Sequence, residues 1–156
     1  MRTAGTLVAA LSSVLLLVAC PTTPLTGAPA DFAVYDKGDV RQAVSFDRVV
    51  YQVKRVENKP LADLAFWRVA LKEHVEKAGY VVTTDGAIDA TGKPGYYIES
   101  TAPRGTADYI YLVALFVHDK NLIVIESAGE VEAYKSKRDK IFAAIKATDL
   151  AGAGGR

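Results

Sequence analysis

The chain has 156 residues, half of them hydrophobic and 24% charged, which suits one domain around one core and excludes a multi-span membrane protein or a disordered chain. It carries 19 basic and 18 acidic side chains, and with Arg2 in a segment expected to be removed the balance becomes 18 against 18. Neutrality argues against a nucleic-acid binder or a polybasic membrane sensor, both of which need a positive excess.

Residues 1–19 read as a secretory signal peptide. Arg2 gives the positive start, residues 7–19 the apolar stretch, and small residues sit near its end. That stretch is shorter than the roughly 20 residues of a spanning helix, so it targets the chain without staying as an anchor. Leu17, Val18, Ala19 and Cys20 resemble the lipobox of bacterial lipoproteins. The resemblance implies cleavage before Cys20 and a diacylglyceryl group on its thiol. Cysteine usage agrees: Cys20 is the only cysteine, so no internal disulfide is possible, and a free thiol is a liability in an oxidising compartment. Several acyl chains, each buried methylene adding about 0.8 kcal/mol, would hold the protein firmly. The expected address is the bacterial cell envelope, lipid-anchored to a membrane and facing the periplasm or exterior.

Residues 20–30 form the expected tether, the lipidated Cys20 followed by a stretch with three prolines and no hydrophobic period. Residues 31–150 are expected to make a single domain, and the small, glycine-rich residues 151–156 a flexible tail. Within the domain, residues 32–35 and 41–46 suit short strands around a turn at Asp36, Lys37, Gly38 and Asp39. Residues 49–57 alternate as a strand with one wet face. Residues 60–78 read as a helix with Pro60 early and Gly79 as the stop, its apolar stripe running through Leu64, Trp67, Leu71, Val75 and Ala78. Strands at 80–84 and 96–101 flank an expected loop at 85–95. Residues 109–117 and 122–125 make a hairpin dense in β-branched and aromatic residues, apolar enough for central strands covered on both faces. A second helix over 130–147 places Val131, Tyr134, Ile141, Phe142 and Ile145 inward, with Lys135, Lys140 and Lys146 outward. Ser127 and Glu130 have capping-box spacing at its start.

Strands, helix, strands, helix, with short later connections, predict an α+β domain: an antiparallel β-sheet packed by two main helices. Residues 49–79 and 96–145 follow the succession of the PsbP-like sandwich. There Tyr109, Ile110 and Tyr111 lead through the stretch from Ile123 to Gly129 into the last helix. The chain thus resembles a fold shared by the photosystem II extrinsic protein and a Ran-binding nuclear import factor. The resemblance implies a binding or assembly module.

Chemistry is sparsely represented. Cys20 is committed to lipid and no Gly-x-Ser-x-Gly elbow exists, so no activated nucleophile is in view. His74 and His118 read as a helix-edge side chain and a turn residue, and their spacing suits no zinc site. Asp85 and Asp89 put oxygen ligands in the expected loop, but without the calcium-loop run they read as turn residues. Neither an enzyme nor a cofactor or metal site is expected. Two features remain. Arg138 falls inside the second helix's apolar stripe and needs a carboxylate; Glu126 is nearest in sequence and Glu99 second. Phe66 and Val69 fall off the first helix's core stripe. Either an N-terminal strand or the 85–95 loop covers them, or they form an apolar spot on a charged face where a partner docks. The expected function is a noncatalytic protein-binding or assembly module with an envelope protein partner. The alternative is a binder of a small apolar or lipid-like ligand between sheet and helix.

Overall fold

A computed structural model describes residues 27–37, 40–104 and 107–153. The expected signal peptide, Cys20 and the expected tether up to residue 26 lie outside the described residues. In chain order the elements are β1 (Phe32–Lys37), β2 (Val40–Ser45), β3 (Val50–Glu57), α1 (Leu64–Lys77), β4 (Val81–Ala90), β5 (Lys93–Arg104), β6 (Ala107–His118), β7 (Asn121–Glu130) and α2 (Val131–Lys146). The strands form one seven-stranded sheet in the order β1-β2-β3-β7-β6-β5-β4, antiparallel throughout. The α+β architecture expected from the sequence is the one observed.

This order explains where the helices go. After β3 the chain crosses one sheet face as α1 to reach the far edge at β4, and the meander β4 to β7 returns to pair with β3. The last helix then covers the opposite face. Alternation along the central strands separates two cores. Leu112, Ala114, Phe116, Ile123 and Ile125 meet Tyr134, Ile141 and Ile145 of α2. Tyr96, Ile98 and Val113 meet Val75, Leu64 and Leu71 of α1. Residues 112–116 of β6 are all buried because a helix lies on each side.

Several elements depart from the sequence reading. The helix expected from Pro60 begins at Leu64, because the Asp63 carboxylate accepts from Phe66 N and caps it there. Gly79, at φ +85°, follows the helix as expected of its stop. The supposed 85–95 loop is the closing end of a β-hairpin. Ile88 and Ala90 alternate inward, and Thr91 and Gly92 both take positive φ in the two-residue turn. The capping box at Ser127 is absent, since β7 runs unbroken to Glu130 and the Ser127 hydroxyl donates to Val50 O instead. Glu130 itself caps α2.

Both ends of the domain extend past their expected limits. Residues 27–30, expected as tether, lie against α2 with Pro29 buried, and Asp31 pairs with Lys140. Gly27 fits there because its φ is +93° and a Cβ would meet the Thr148 hydroxyl at 2.8 Å. At the other end, Arg55 donates to the carbonyls of Leu150, Ala151 and Ala153. Ala153 is buried, so the first three residues of the expected flexible tail are pinned to the fold.

Candidate functional site

The ion pair around Arg138 differs from the first expectation. Its guanidinium makes a fork-like contact to Glu99, with Nε at 2.9 Å from Oε1 and Nη2 at 2.7 Å from Oε2. The Tyr134 hydroxyl donates to the same carboxylate at 2.8 Å, and Arg138 lies over the Phe142 ring. Glu99 is 6% exposed. Burial, with the Glu99 charge beside it, pushes the Tyr134 hydroxyl well above the ordinary tyrosine value. This cluster ties α2 to β5: the buried Glu99 carboxylate is taken up by Tyr134 and Arg138, while the outer part of the guanidinium meets water. Its geometry is that of a structural clasp.

Glu126 is on the opposite sheet face and never meets Arg138. Ile123 and Ile125 point toward α2, so the residue between Ile125 and Ser127 must point away. There it accepts from Tyr111 at 2.6 Å and from Gln52 at 2.6 Å, and it pairs with Lys54. Burial alone would raise its pKa, but those three partners together hold the carboxyl below its ordinary range. The row continues outward: Gln52 accepts from Gln42 at 2.8 Å, and Gln42 accepts from Tyr35 at 2.6 Å.

The surface around α1 is different in kind. Only Val75 of this helix is fully buried. Asn58 fixes its start: the side chain donates to Ala62 O at 2.9 Å and accepts from Ala62 N at 3.2 Å and Trp67 Nε1 at 2.7 Å. Sequence patterning could not flag Asn58, a residue just past a strand end. Phe66 is 48% exposed and Val69 62%, with Leu61 more exposed still. Neither the N-terminal strand nor the 85–95 hairpin covers them, because β1 is at the far edge of the sheet and the hairpin is part of the sheet itself.

Grooves run along both sides of α1. On the β4 side, a space of about 300 Å³ is lined by Ala65, Arg68, Val69, Lys72, Asp85 and Tyr96. Arg68 stacks on the Tyr96 ring, and the Tyr96 hydroxyl donates to Asp85. Burial and the Asp85 carboxylate push the Tyr96 pKa up to about 12. On the other side, about 310 Å³ opens between Trp67, Ala70, Leu71 and His74 and the sheet residues Leu115 and Leu122. His74 is thus a groove-edge residue, and His118 ends β6 beside Asp119. Asp85 and Asp89 do not converge: Asp89 accepts from Gly92 N across the turn. Among the described residues no group of three His, Cys, Asp or Glu side chains gathers for a metal.

No protein-family model matches the chain, and no curated protein sequence matches it. Solved structures do resemble its fold. A protein of unknown function from Pseudomonas aeruginosa, PA94, aligns with a TM-score of 0.59 at 10% identity, over 77% of this chain and 97% of that one. LpqN of Mycobacterium tuberculosis, a protein involved in cell envelope biogenesis, aligns with a TM-score of 0.56 at 9% identity, over 76% and 77%. The cyanobacterial PsbP of Synechocystis sp. PCC 6803 aligns with a TM-score of 0.48 at 12% identity, over 76% and 80%. At such identities the likeness concerns the fold alone. Among the described residues no helix is long and apolar enough to cross a membrane.

Proposed function

We propose that this protein is a lipid-anchored envelope module without catalytic activity, which binds a protein partner through the outer side of α1. The observation that carries the reading is the exposure of Phe66 and Val69, three residues apart on one helix face. An apolar spot held on a thinly packed helix, beside the cations Arg68 and Lys72, has the makings of an interface centre with a polar rim. The envelope address rests on the lipobox-like Leu17 to Cys20, and LpqN's part in envelope biogenesis is consistent with it.

Crosslinking and affinity purification from membranes test the docking face. Phe66→Ser and Val69→Ser should each deplete the proteins captured by the wild type, with folding intact. Phe46→Ser serves as the control, because Phe46 is fully exposed on the β2–β3 turn, away from α1. Loss of capture by Phe46→Ser alone would move the site off α1. Cys20→Ser tests the anchor: it should leave an unprocessed precursor or a soluble form.

The groove between α1 and β6–β7 favours a second reading, a small apolar or lipid-like ligand lying between helix and sheet. Trp67 lines that groove and is the only tryptophan, so its fluorescence reports on occupancy directly. Titration with a medium-chain fatty acid would shift and saturate the Trp67 emission under this reading. A flat response would leave the protein-binding face as the sole candidate.

A further inference from the structure

Where the chain enters the fold bears on which end of the domain meets a membrane. One end of the sheet carries the turn at Thr91 and Gly92, the turn at Asp119 and Lys120, and the exit of β3 at Glu57. Helix α2 finishes at that end, where Lys146 O accepts from Thr91 N at 3.1 Å. Gly27, the first described residue, is packed there too, against Ala144 and Thr148. Seven residues of chain lead from Cys20 to Gly27, a reach of about 22–25 Å when extended. Helix α2 has 16 residues and is about 24 Å long, so that reach is exhausted before the far end of the helix. A lipid on Cys20 would therefore hold the bilayer beside the end where α2 finishes.

The residues at that end suit a bilayer surface. Asn58 braces the connection leading out of β3: its N–H donates to Lys120 O at 2.9 Å, and its side chain both donates to and accepts from Ala62. Leu61, held within this brace, is 75% exposed, and Val56 near the end of β3 is exposed as well. Lys59, Lys93 and Lys120 stand at the same end, balanced by Glu57, Asp89 and Asp119, all of them exposed. Charge thus gives no net pull toward anionic lipid, and the contact is an apolar one with a polar surround at headgroup level. The outer side of α2 is unsuited, because Glu132, Lys135, Asp139 and Lys146 are exposed along it. Phe46 and Val81 are also exposed, but both lie at the opposite end of the sheet, beyond β2 and at the start of β4.

We infer, on the basis of the Cys20 anchor proposed above, that the end of the domain bearing Leu61 rests on the bilayer. Leu61 enters the headgroup boundary there as a second point of attachment beside the lipid. One leucine is too little to hold a protein on a membrane by itself, but a short tether keeps it at high effective concentration over the surface. In this posture the strands stand up from the membrane. The outer side of α1 then faces sideways and stays clear for a protein partner.

Depth-dependent quenching tests the seating, with the full chain purified from membranes and reconstituted into phosphatidylcholine vesicles. Leu61→Cys, Phe46→Cys and Val81→Cys each place one thiol-reactive fluorophore at an exposed position. The wild type, whose one cysteine is Cys20, takes no label when that thiol carries lipid. Lipid bearing a nitroxide at the headgroup boundary should remove about half of the Leu61 emission, because a side chain seated about 5–10 Å into that boundary lies at quencher depth. The Phe46 and Val81 labels should keep theirs. A label at Lys120→Cys, on the neighbouring turn, should also be quenched, and less so once Leu61→Ser is added. With the wild type unlabelled, equal quenching at all positions, or none at Leu61, would overturn the seating and leave the anchor standing. So would a Lys120 signal indifferent to Leu61→Ser. A wild type that takes up label has a free Cys20 thiol, which overturns the anchor and the seating with it.

Discussion

The two helices lie on opposite faces of one sheet, yet they are attached in different ways. Helix α2 buries Tyr134, Ile141, Ala144 and Ile145 and adds the Arg138–Glu99 clasp. Helix α1 buries Val75 alone, leans on Leu64 and Leu71, and depends on Asn58 for its starting position. A helix that fills its face has nothing left to offer a partner. One that only rests on the sheet leaves grooves on both flanks and apolar side chains in water. The difference separates a structural face from a binding face.

Truncations sharpen that contrast. Ile141→Ala on α2 should cost about 3–4 kcal/mol, because a fully buried branched side chain leaves a cavity under a tightly held helix. Leu71→Ala on α1, half-buried at a groove, should cost about 1–2 kcal/mol, since the site is already open to water. Equal losses by chemical denaturation would erase the distinction.

The clasp should respond asymmetrically. Arg138→Met leaves the Glu99 carboxylate buried with only Tyr134 to stabilise it. The expected loss is about 2–3 kcal/mol, below the full cost of a broken buried pair because the arginine side is wet. Glu99→Gln keeps an acceptor for both neighbours and lets Arg138 turn to water, so its loss should be smaller, about 1–2 kcal/mol. The reverse order in thermal unfolding would show that Arg138 is the group that burial harms.

A smaller effect separates the two faces by pH. Glu126, on the α1 side, has a folded pKa below its ordinary 4.5. Its stabilisation is therefore fully present above that value and is lost as pH falls through the folded pKa. Glu126→Gln should flatten the acid limb of a stability–pH curve. An unchanged limb would mean the Lys54, Gln52 and Tyr111 contacts do not persist in solution.

Much of this was legible in the sequence. The apolar stripe of α2 and the wet face of β3 follow from periodicity, and the doubly covered β6 from its near-continuous apolar run; both patterns are what burial selects. Two of the departures, Glu126 and the 85–95 segment, follow from strand alternation, which outweighs proximity in sequence and composition. Glu126 is closer to Arg138 in the chain than Glu99, yet alternation with Ile125 already put it on the other face. The 85–95 segment looks like a loop by its Gly, Asp and Thr content, yet Ile88 and Ala90 alternate as an edge strand should, and Thr91-Gly92 suits a tight turn. For the site, patterning set Phe66 and Val69 apart from the core stripe, but their exposure depended on what lay above them. Asn58 acts through contacts to Ala62 and Trp67 that no spacing rule announces.

Native-state hydrogen exchange tests the contrast between the helices most directly. The amides of α1 should exchange through a local opening about 1–2 kcal/mol or more below global unfolding, while those of α2 should exchange only with the whole domain. Equal protection in α1 and α2 would contradict the account, placing both helices in one cooperative core and removing the physical basis for reading α1 as the binding face.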